Sequence, residues 1–169
     1  MSKRWTLLVL SAALVMGLGL GPSHILAQGE EAEAVARKVE ITLGEFFFQV
    51  EGGTQNAPIT LQAGERVALE LMNTGLILHE AFFGQDANIA EGKYNLNLLE
   101  DVEVIVEGIA TGGKFEVEAE GLGEVELEPN VELELLFTVP NTPGTFEIGC
   151  FIPGHYQAGM HAPLIIAAP

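Results

Sequence analysis

Apolar and polar residues alternate along most of the chain after residue 38, and this period of two is the feature that most limits the fold. The segments with this pattern, or with short apolar runs, are VEITL, EFFFQV, RVALELM, VEVIV, KFEVEAE, EVELE, VELELLFTV and GTFEIG. Turn signals separate them, among them Gly52-Gly53, Ala63-Gly64, Gly112-Gly113, Pro129-Asn130 and Pro143-Gly144. Alternation over short segments is typical of strands with one buried face. Many such strands predict an all-β Greek-key sandwich. Residues 85–101 (QDANIAEGKYNLNLLED) break the pattern, and a loop or short helix is predicted there.

The N-terminus has the layout of a secretory signal. Lys3 and Arg4 precede a mostly apolar stretch from Trp5 to Leu20, which ends at Gly21-Pro22 before the small residue Ala27. The stretch is shorter than the roughly 20 residues that span a bilayer, so residues 1–27 are predicted to be a signal peptide cleaved after Ala27. An uncleaved anchor, with membrane association through residues 5–20, is the alternative.

The predicted signal indicates where the protein acts and where its folded domain begins. The protein is predicted to act in the periplasm or at the outer face of the cytoplasmic membrane. Residues 28–38 (QGEEAEAVARK) are polar, acidic and free of aromatic residues, which predicts a linker. The remaining residues, 39–169, are enough for a single domain with a core.

The charge is strongly negative. The chain has 7 Lys and Arg against 24 Asp and Glu, for a net charge of −17 at pH 7. All the acidic residues follow the predicted signal, whereas Lys3 and Arg4 lie in it. Such a surface repels nucleic acid and attracts basic partners at low ionic strength. The alternate glutamates in residues 116–134 have two interpretations: a docking stripe for a basic redox partner, or one sheet face that meets water.

The stretch GCFIPGHYQAGMHAP, residues 149–163, contains the only cysteine of the chain. Exported proteins usually use cysteines in pairs, so a single thiol suggests a chemical role. Cys150, His155 and Met160 follow a C-x4-H-x4-M spacing that a loop could fold inward. A thiolate, imidazole nitrogens and a thioether are the donors of a blue-copper electron-transfer site, which needs a second histidine. His79, after the strand RVALELMN, is the candidate.

These two motifs together resemble the cupredoxins, the family of small type 1 copper proteins. The upstream NTGLILH (N-x-G-x3-H) pairs with GCFIPGHYQAGM, and the spacing is more similar to auracyanin and rusticyanin than to plastocyanin. The resemblance covers roughly residues 39–169 and implies one copper ion bound by His79, Cys150, His155 and Met160. It also implies an insertion around residues 85–128, because that stretch is longer than the minimal fold requires.

Each candidate ligand has a structural alternative. Cys150 could be a small buried hydrophobic residue, His79 a core histidine and Met160 simple packing. His161 is predicted to point away from the site, because neighbours on an extended segment face opposite sides. Glu80 stands where plastocyanins and azurins usually have asparagine, and its carboxylate lies either beside the metal or in solvent.

The resemblance implies outer-sphere electron transfer, with His155 as the exit to an apolar docking patch, and no enzymatic activity. The expected partners are a redox-protein donor and acceptor, basic, cytochrome-like or part of a membrane complex, and the domain is expected to be monomeric. A copper-delivery or storage protein with the same ligands is the alternative. Multicopper oxidases and copper nitrite reductases need further histidine clusters, whereas only three histidines follow the predicted signal. A dinuclear copper site needs a second cysteine.

Overall fold

The computed structural model describes residues 37–110 and 112–169, which contain strands and turns but no helix. The strands are β1 (Arg37–Gly44), β2 (Phe47–Val50), β3 (Ile59–Gln62), β4 (Arg66–Asn73), β5 (His79–Asn88), β6 (Lys93–Asn97), β7 (Glu103–Ala110), β8 (Gly113–Glu120), β9 (Glu124–Leu127), β10 (Glu132–Thr138), β11 (Gly144–Gly149) and β12 (His161–Ala167). No helix in this part of the chain could cross a membrane. The predicted signal or anchor, 1–27, lies outside the described residues.

The strands form two sheets. The first has the order β2-β1-β4-β10-β7-β8, and the second has the order β3-β12-β11-β5-β6 with β9 also paired to β5. Most neighbours are antiparallel, whereas β1 with β4 and β3 with β12 are parallel pairs. Parallel pairs require crossover connections between the sheets. The predicted all-β sandwich is confirmed.

The core lies between the two sheets and is built by the alternating residues. On β4 and β10 every second side chain is buried, and Leu69 and Leu135 pair directly across the two strands with no exposed surface. The facing sheet contributes Leu61, Ala81, Ile148 and Leu164. Burial of apolar surface contributes about 25 cal/mol per Å², so this interface supplies the main stabilisation.

Residues 85–101 correct the sequence prediction. They are neither a loop nor a helix, because β5 continues to Asn88 and returns as β6, giving a hairpin at the edge of the second sheet. Alternation is absent because β6 is mostly exposed and buries little besides Tyr94. Residues 85–128, predicted to be an insertion, form β6 to β9 and extend both sheets.

The start of β2 also differs from the prediction. EFFFQV was predicted as a continuous strand, but Glu45 and Phe46 form a turn between β1 and β2. Phe46 has a φ of 67°. A bulky residue in this left-handed region is strained by roughly 1–2 kcal/mol, so other contacts must hold it there.

Of the alternate glutamates, Glu116 on β8 and Glu134 on β10 lie on the outer face of the first sheet, whereas Glu124 and Glu126 lie on β9 in the second sheet. Strand register aligns one carboxylate from each of five neighbouring strands in a row: Glu40, Glu70, Glu134, Glu107 and Glu116. Lys38 bridges to Glu40 and Glu70, and Lys114 bridges to Glu107. The row therefore fits a sheet face turned to water; the docking function stays a prediction.

The central position of β10 gives a test of the core. Leu135→Ala should lower the free energy of unfolding by about 2–5 kcal/mol, because it leaves a cavity between the sheets. Leu96→Ala is the matched control, since Leu96 lies on β6 with 47% of its surface exposed and should change stability by less than about 1 kcal/mol. Urea denaturation measures both. Equal losses would contradict the assigned core.

Candidate metal centre

Three of the four predicted ligands meet at one end of the sandwich. His79 is the first residue of β5, Cys150 directly follows β11, and His155 lies in the loop between β11 and β12. One donor atom from each of the three lies within 4.8 Å of the others. Cys150 Sγ and His155 Nδ1 are 3.3 Å apart, and the two imidazole centroids are 5.1 Å apart. The structure therefore brings together residues far apart in sequence.

The site is almost closed to solvent. His79 and Cys150 have no exposed surface, and His155 is 7% exposed. Met160 is fully buried directly before β12, and its role as an axial ligand stays a prediction. Both ring nitrogens of His79 are buried and have no hydrogen-bond partner in the protein. An unpaired buried polar group is costly, so these nitrogens fit a role in binding a ligand.

Backbone hydrogen bonds close the ligand loop, residues 150–160. Cys150 N–H donates to Met160 O at 3.1 Å, and Met160 N–H donates to His155 O at 3.0 Å. Gly154 and Gly159 have φ values of 94° and 102°, which glycine adopts without steric cost. Asn56 Nδ2 donates to Gly159 O at 2.9 Å and so ties the loop to the segment after β2.

Asn73 organises the second loop, residues 74–78, which leads to His79. Its side-chain nitrogen donates to Ile77 O at 2.8 Å and to Leu127 O at 2.7 Å. Its Oδ1 accepts the Gly75 N–H at 2.8 Å. Asn73 is fully buried, so these bonds replace the water that the amide would otherwise bind. The N-x-G-x3-H motif contained this residue, but its role in the loop was visible only in the structure.

Glu80 connects the two loops. Its backbone N–H donates to Cys150 Sγ at 3.4 Å, and its Oε2 accepts the Phe151 N–H at 3.1 Å. The carboxylate therefore lies against the ligand loop, and the alternative of a fully solvated side chain is wrong. Burial raises the pKa of Glu80, which the hydrogen bond from Phe151 opposes.

Burial also sets the protonation of the three assembled donors. It lowers the pKa of His79, with a further contribution from nearby His155, and it lowers the pKa of His155. It raises the pKa of Cys150, against the hydrogen bonds that the sulfur accepts from the backbone. The metal-free site therefore holds two neutral imidazoles and a neutral thiol at pH 7.

His161 lies outside the cluster, as predicted. Its ring stacks on Tyr156 with centroids 4.3 Å apart, and Tyr156 stacks on Phe151 on its other side. Tyr156 O–H donates to Glu147 Oε2 at 2.5 Å, and Tyr94 O–H donates to the same oxygen at 3.2 Å. Tyr94 and Tyr156 also lie close to Gly149, so the stack packs at the end of β11, where the ligand loop begins.

Phe46, from the turn between β1 and β2, covers His155. Its ring meets the imidazole edge to face with centroids 5.2 Å apart, while 39% of Phe46 is exposed. This contact helps to hold the strained φ of Phe46. Sequence reasoning missed the residue because it reads as part of a strand.

Several known proteins are similar to this chain in sequence or in structure. No protein-family model matches the chain. It is 29% identical to the copper-resistant cuproprotein CopI of Pseudomonas aeruginosa, over 95% of this chain and 94% of that protein. Auracyanin B has a TM-score of 0.50 and 20% identity, over 80% of this chain and 91% of its own. The chain has the cupredoxin fold.

The structure also resembles part of a larger enzyme. The multicopper oxidase of Campylobacter jejuni matches with a TM-score of 0.57 and 14% identity, over 83% of this chain but only 31% of the oxidase. At this identity the likeness shows the fold alone. The sequence prediction of a cupredoxin fold is confirmed.

Gly75 gives a test of how closely the loop packs on the cluster. A Cβ at this position would lie 2.7 Å from Glu45 Oε1, 2.8 Å from His79 Nε2 and 3.1 Å from Asn73 Oδ1, and the last two atoms belong to fully buried side chains. Gly75→Ala should therefore displace His79 and weaken Zn²⁺ binding at least tenfold. At Gly123 nothing lies within 4 Å of the added atom, so Gly123→Ala is the control. Calorimetric titration measures both. Equal affinities would show that His79 is not confined by this loop.

Proposed function

We propose that this cupredoxin domain is a mononuclear type 1 copper protein that transfers single electrons between redox partners outside the cytoplasm. His79, Cys150 and His155 would hold the ion, and Met160 would be a weaker fourth donor. The observation that carries the proposal is the buried cluster of two imidazoles and one thiol within 4.8 Å. One sulfur and two nitrogens, with a distant thioether, are the donors that suit blue copper.

The donor set fits copper by its chemistry and by its surroundings. The unpartnered nitrogens of His79 are available to a metal. A copper ion bound there would supply the Cu(I)/Cu(II) couple. The Glu80 N–H donates to the sulfur, and such hydrogen bonds around the cysteine tune the reduction potential of copper sites.

The loops around the cluster restrict its rearrangement. Asn73, Glu80 and Asn56 each tie a loop to a neighbouring segment through hydrogen bonds. Electron transfer is fast when the donors move little between oxidation states, and this network keeps them in place. The proposed task needs no substrate pocket, so the role that we propose is non-enzymatic.

The partner surface is proposed at the loop end, around the edge of His155. Phe46, Leu76 and Ile77 are exposed there by 39%, 87% and 43%. Leu76 N–H donates to Glu45, the neighbour of Phe46, which places these apolar side chains on adjoining loops. A redox donor and acceptor would dock on this patch, and the negative charge of the domain would favour basic partners.

Copper delivery or storage is the second candidate. Its support is the similarity of this chain to the copper-resistant cuproprotein CopI of Pseudomonas aeruginosa. The two functions differ in how firmly copper is held. Release to a chelator within seconds would favour delivery, whereas retention for hours with fast electron exchange would favour electron transfer.

The thiol provides the direct test of the copper site. Copper-loaded protein should show an intense visible band from thiolate bonding, and Cys150→Ser should abolish it, because a hydroxyl is a poor soft ligand. His161→Gln is the matched control and should keep the band, since His161 lies outside the cluster. Absorption spectra of the parent protein and the two variants, each loaded with copper, test this prediction. A band that survives in the serine variant would refute the ligand assignment.

Metal binding should release about one proton at pH 7. The raised pKa of Cys150 keeps the thiol protonated, whereas the lowered pKa values of His79 and His155 keep both rings neutral. Only the thiol must then lose a proton, so affinity should rise about tenfold per pH unit around neutrality. Calorimetry with redox-inert Zn²⁺ in buffers of different ionisation enthalpy counts the protons. Release of two or three would mean charged histidines, and zero would remove the thiol from the ligand set.

A further inference from the structure

His79 has one more nitrogen than a single metal ion can use. Both Nδ1 and Nε2 are buried without a hydrogen-bond partner. In the proposed function one of them binds the metal, and the other still needs an acceptor for its proton. Histidine ligands almost always donate this second N–H to a carboxylate, a carbonyl or water, and the partner fixes the tautomer.

Glu45 is a carboxylate on the loop beside His79. Its Oε1 accepts the Leu76 N–H, which places it at the loop before His79. The point that a Gly75 Cβ would occupy lies 2.7 Å from Glu45 Oε1 and 2.8 Å from His79 Nε2. Both atoms therefore border the space that the absent side chain of Gly75 leaves free.

Asn73 Oδ1 is the other acceptor close to the gap, at 3.1 Å from the same point. It already accepts the Gly75 N–H, and the amide nitrogen of Asn73 is committed to two carbonyl groups. Glu45 is exposed, so its side chain can turn toward His79 without breaking a buried network. A carboxylate is also the stronger acceptor, since charge-assisted hydrogen bonds are about twice as strong as neutral ones.

We propose that Glu45 is a positioning residue for the metal site: its carboxylate accepts the Nε2–H of His79 and so directs Nδ1 toward the metal. This inference deepens the proposed function and rests on it. The turn between β1 and β2 then has two tasks at the site. Phe46 covers His155, and Glu45 sets the tautomer of His79.

The test uses the full chain and begins without metal. In ¹⁵N NMR spectra of the metal-free protein, His79 should be the Nε2–H tautomer. Glu45→Ala should give a mixture of tautomers or faster exchange of that proton with water. Glu51→Ala, which removes a carboxylate beyond the other end of β2, should match the parent protein. An unchanged His79 spectrum in Glu45→Ala would overturn the proposal.

A second measurement follows metal affinity. Glu45→Ala should weaken Zn²⁺ binding about 10–100-fold, the usual effect of removing such a partner, whereas Glu45→Gln, which keeps an acceptor oxygen, should lose less. Equal affinities in Glu45→Ala and Glu51→Ala would overturn the proposal. Failure of the parent protein to bind copper would refute the proposed function alone, because the tautomer in the metal-free protein still decides the role of Glu45.

Discussion

The hydrogen bond from Cys150 N–H to Met160 O is the constraint on which the site depends. This bond directly follows the last paired residues of β11 and β12, Gly149 and His161. The ligand loop begins beyond it. The two strands fix the ends of the loop, so the intervening residues, 151–159, have to fold over the end of the sandwich. His155 consequently points back toward Cys150.

The other side of the site, which contains His79, depends on side-chain hydrogen bonds. β4 and β5 belong to different sheets, and the connection between them, residues 74–78, leads to His79. Asn73 makes two hydrogen bonds to this connection and one to Leu127 of β9, and Glu80, near the start of β5, is bonded to the ligand loop. Satisfied buried polar groups of this type specify one arrangement, since any slip leaves a donor or acceptor unpaired. The core packing thus sets the distance between the sheets, and the polar contacts set the orientation of the ligands.

The sequence predicted those elements whose pattern has a single physical cause. Alternation predicted β4, β10 and β11 because each has one face in the core. The spacing of Cys150, His155 and Met160 predicted the ligand loop because few other roles require those three side chains together. Alternation failed at β6, whose two faces are both mostly exposed.

Contacts between distant segments could not be predicted in the same way. Glu45 and Phe46 precede His79 and His155 by long stretches of chain, and only strand pairing brings them to the site. The turn at Glu45 and Phe46 could not be predicted, because a phenylalanine rarely adopts the positive φ that this turn requires. The position of the Glu80 carboxylate could not be predicted either, because it depends on a contact with a distant segment. The backbone of Glu80 belongs to β5, whereas its carboxylate accepts a hydrogen bond from Phe151.

The central claim is that the fold builds the metal site before the metal arrives. A crystal structure of the copper-loaded full chain, in both oxidation states, tests this most directly. We expect one copper ion bonded to His79, Cys150 and His155, with Met160 beside it and the loops in the positions described above. Copper bound only to the carboxylates on the outer sheet face, or a ligand loop refolded around the ion, would contradict it.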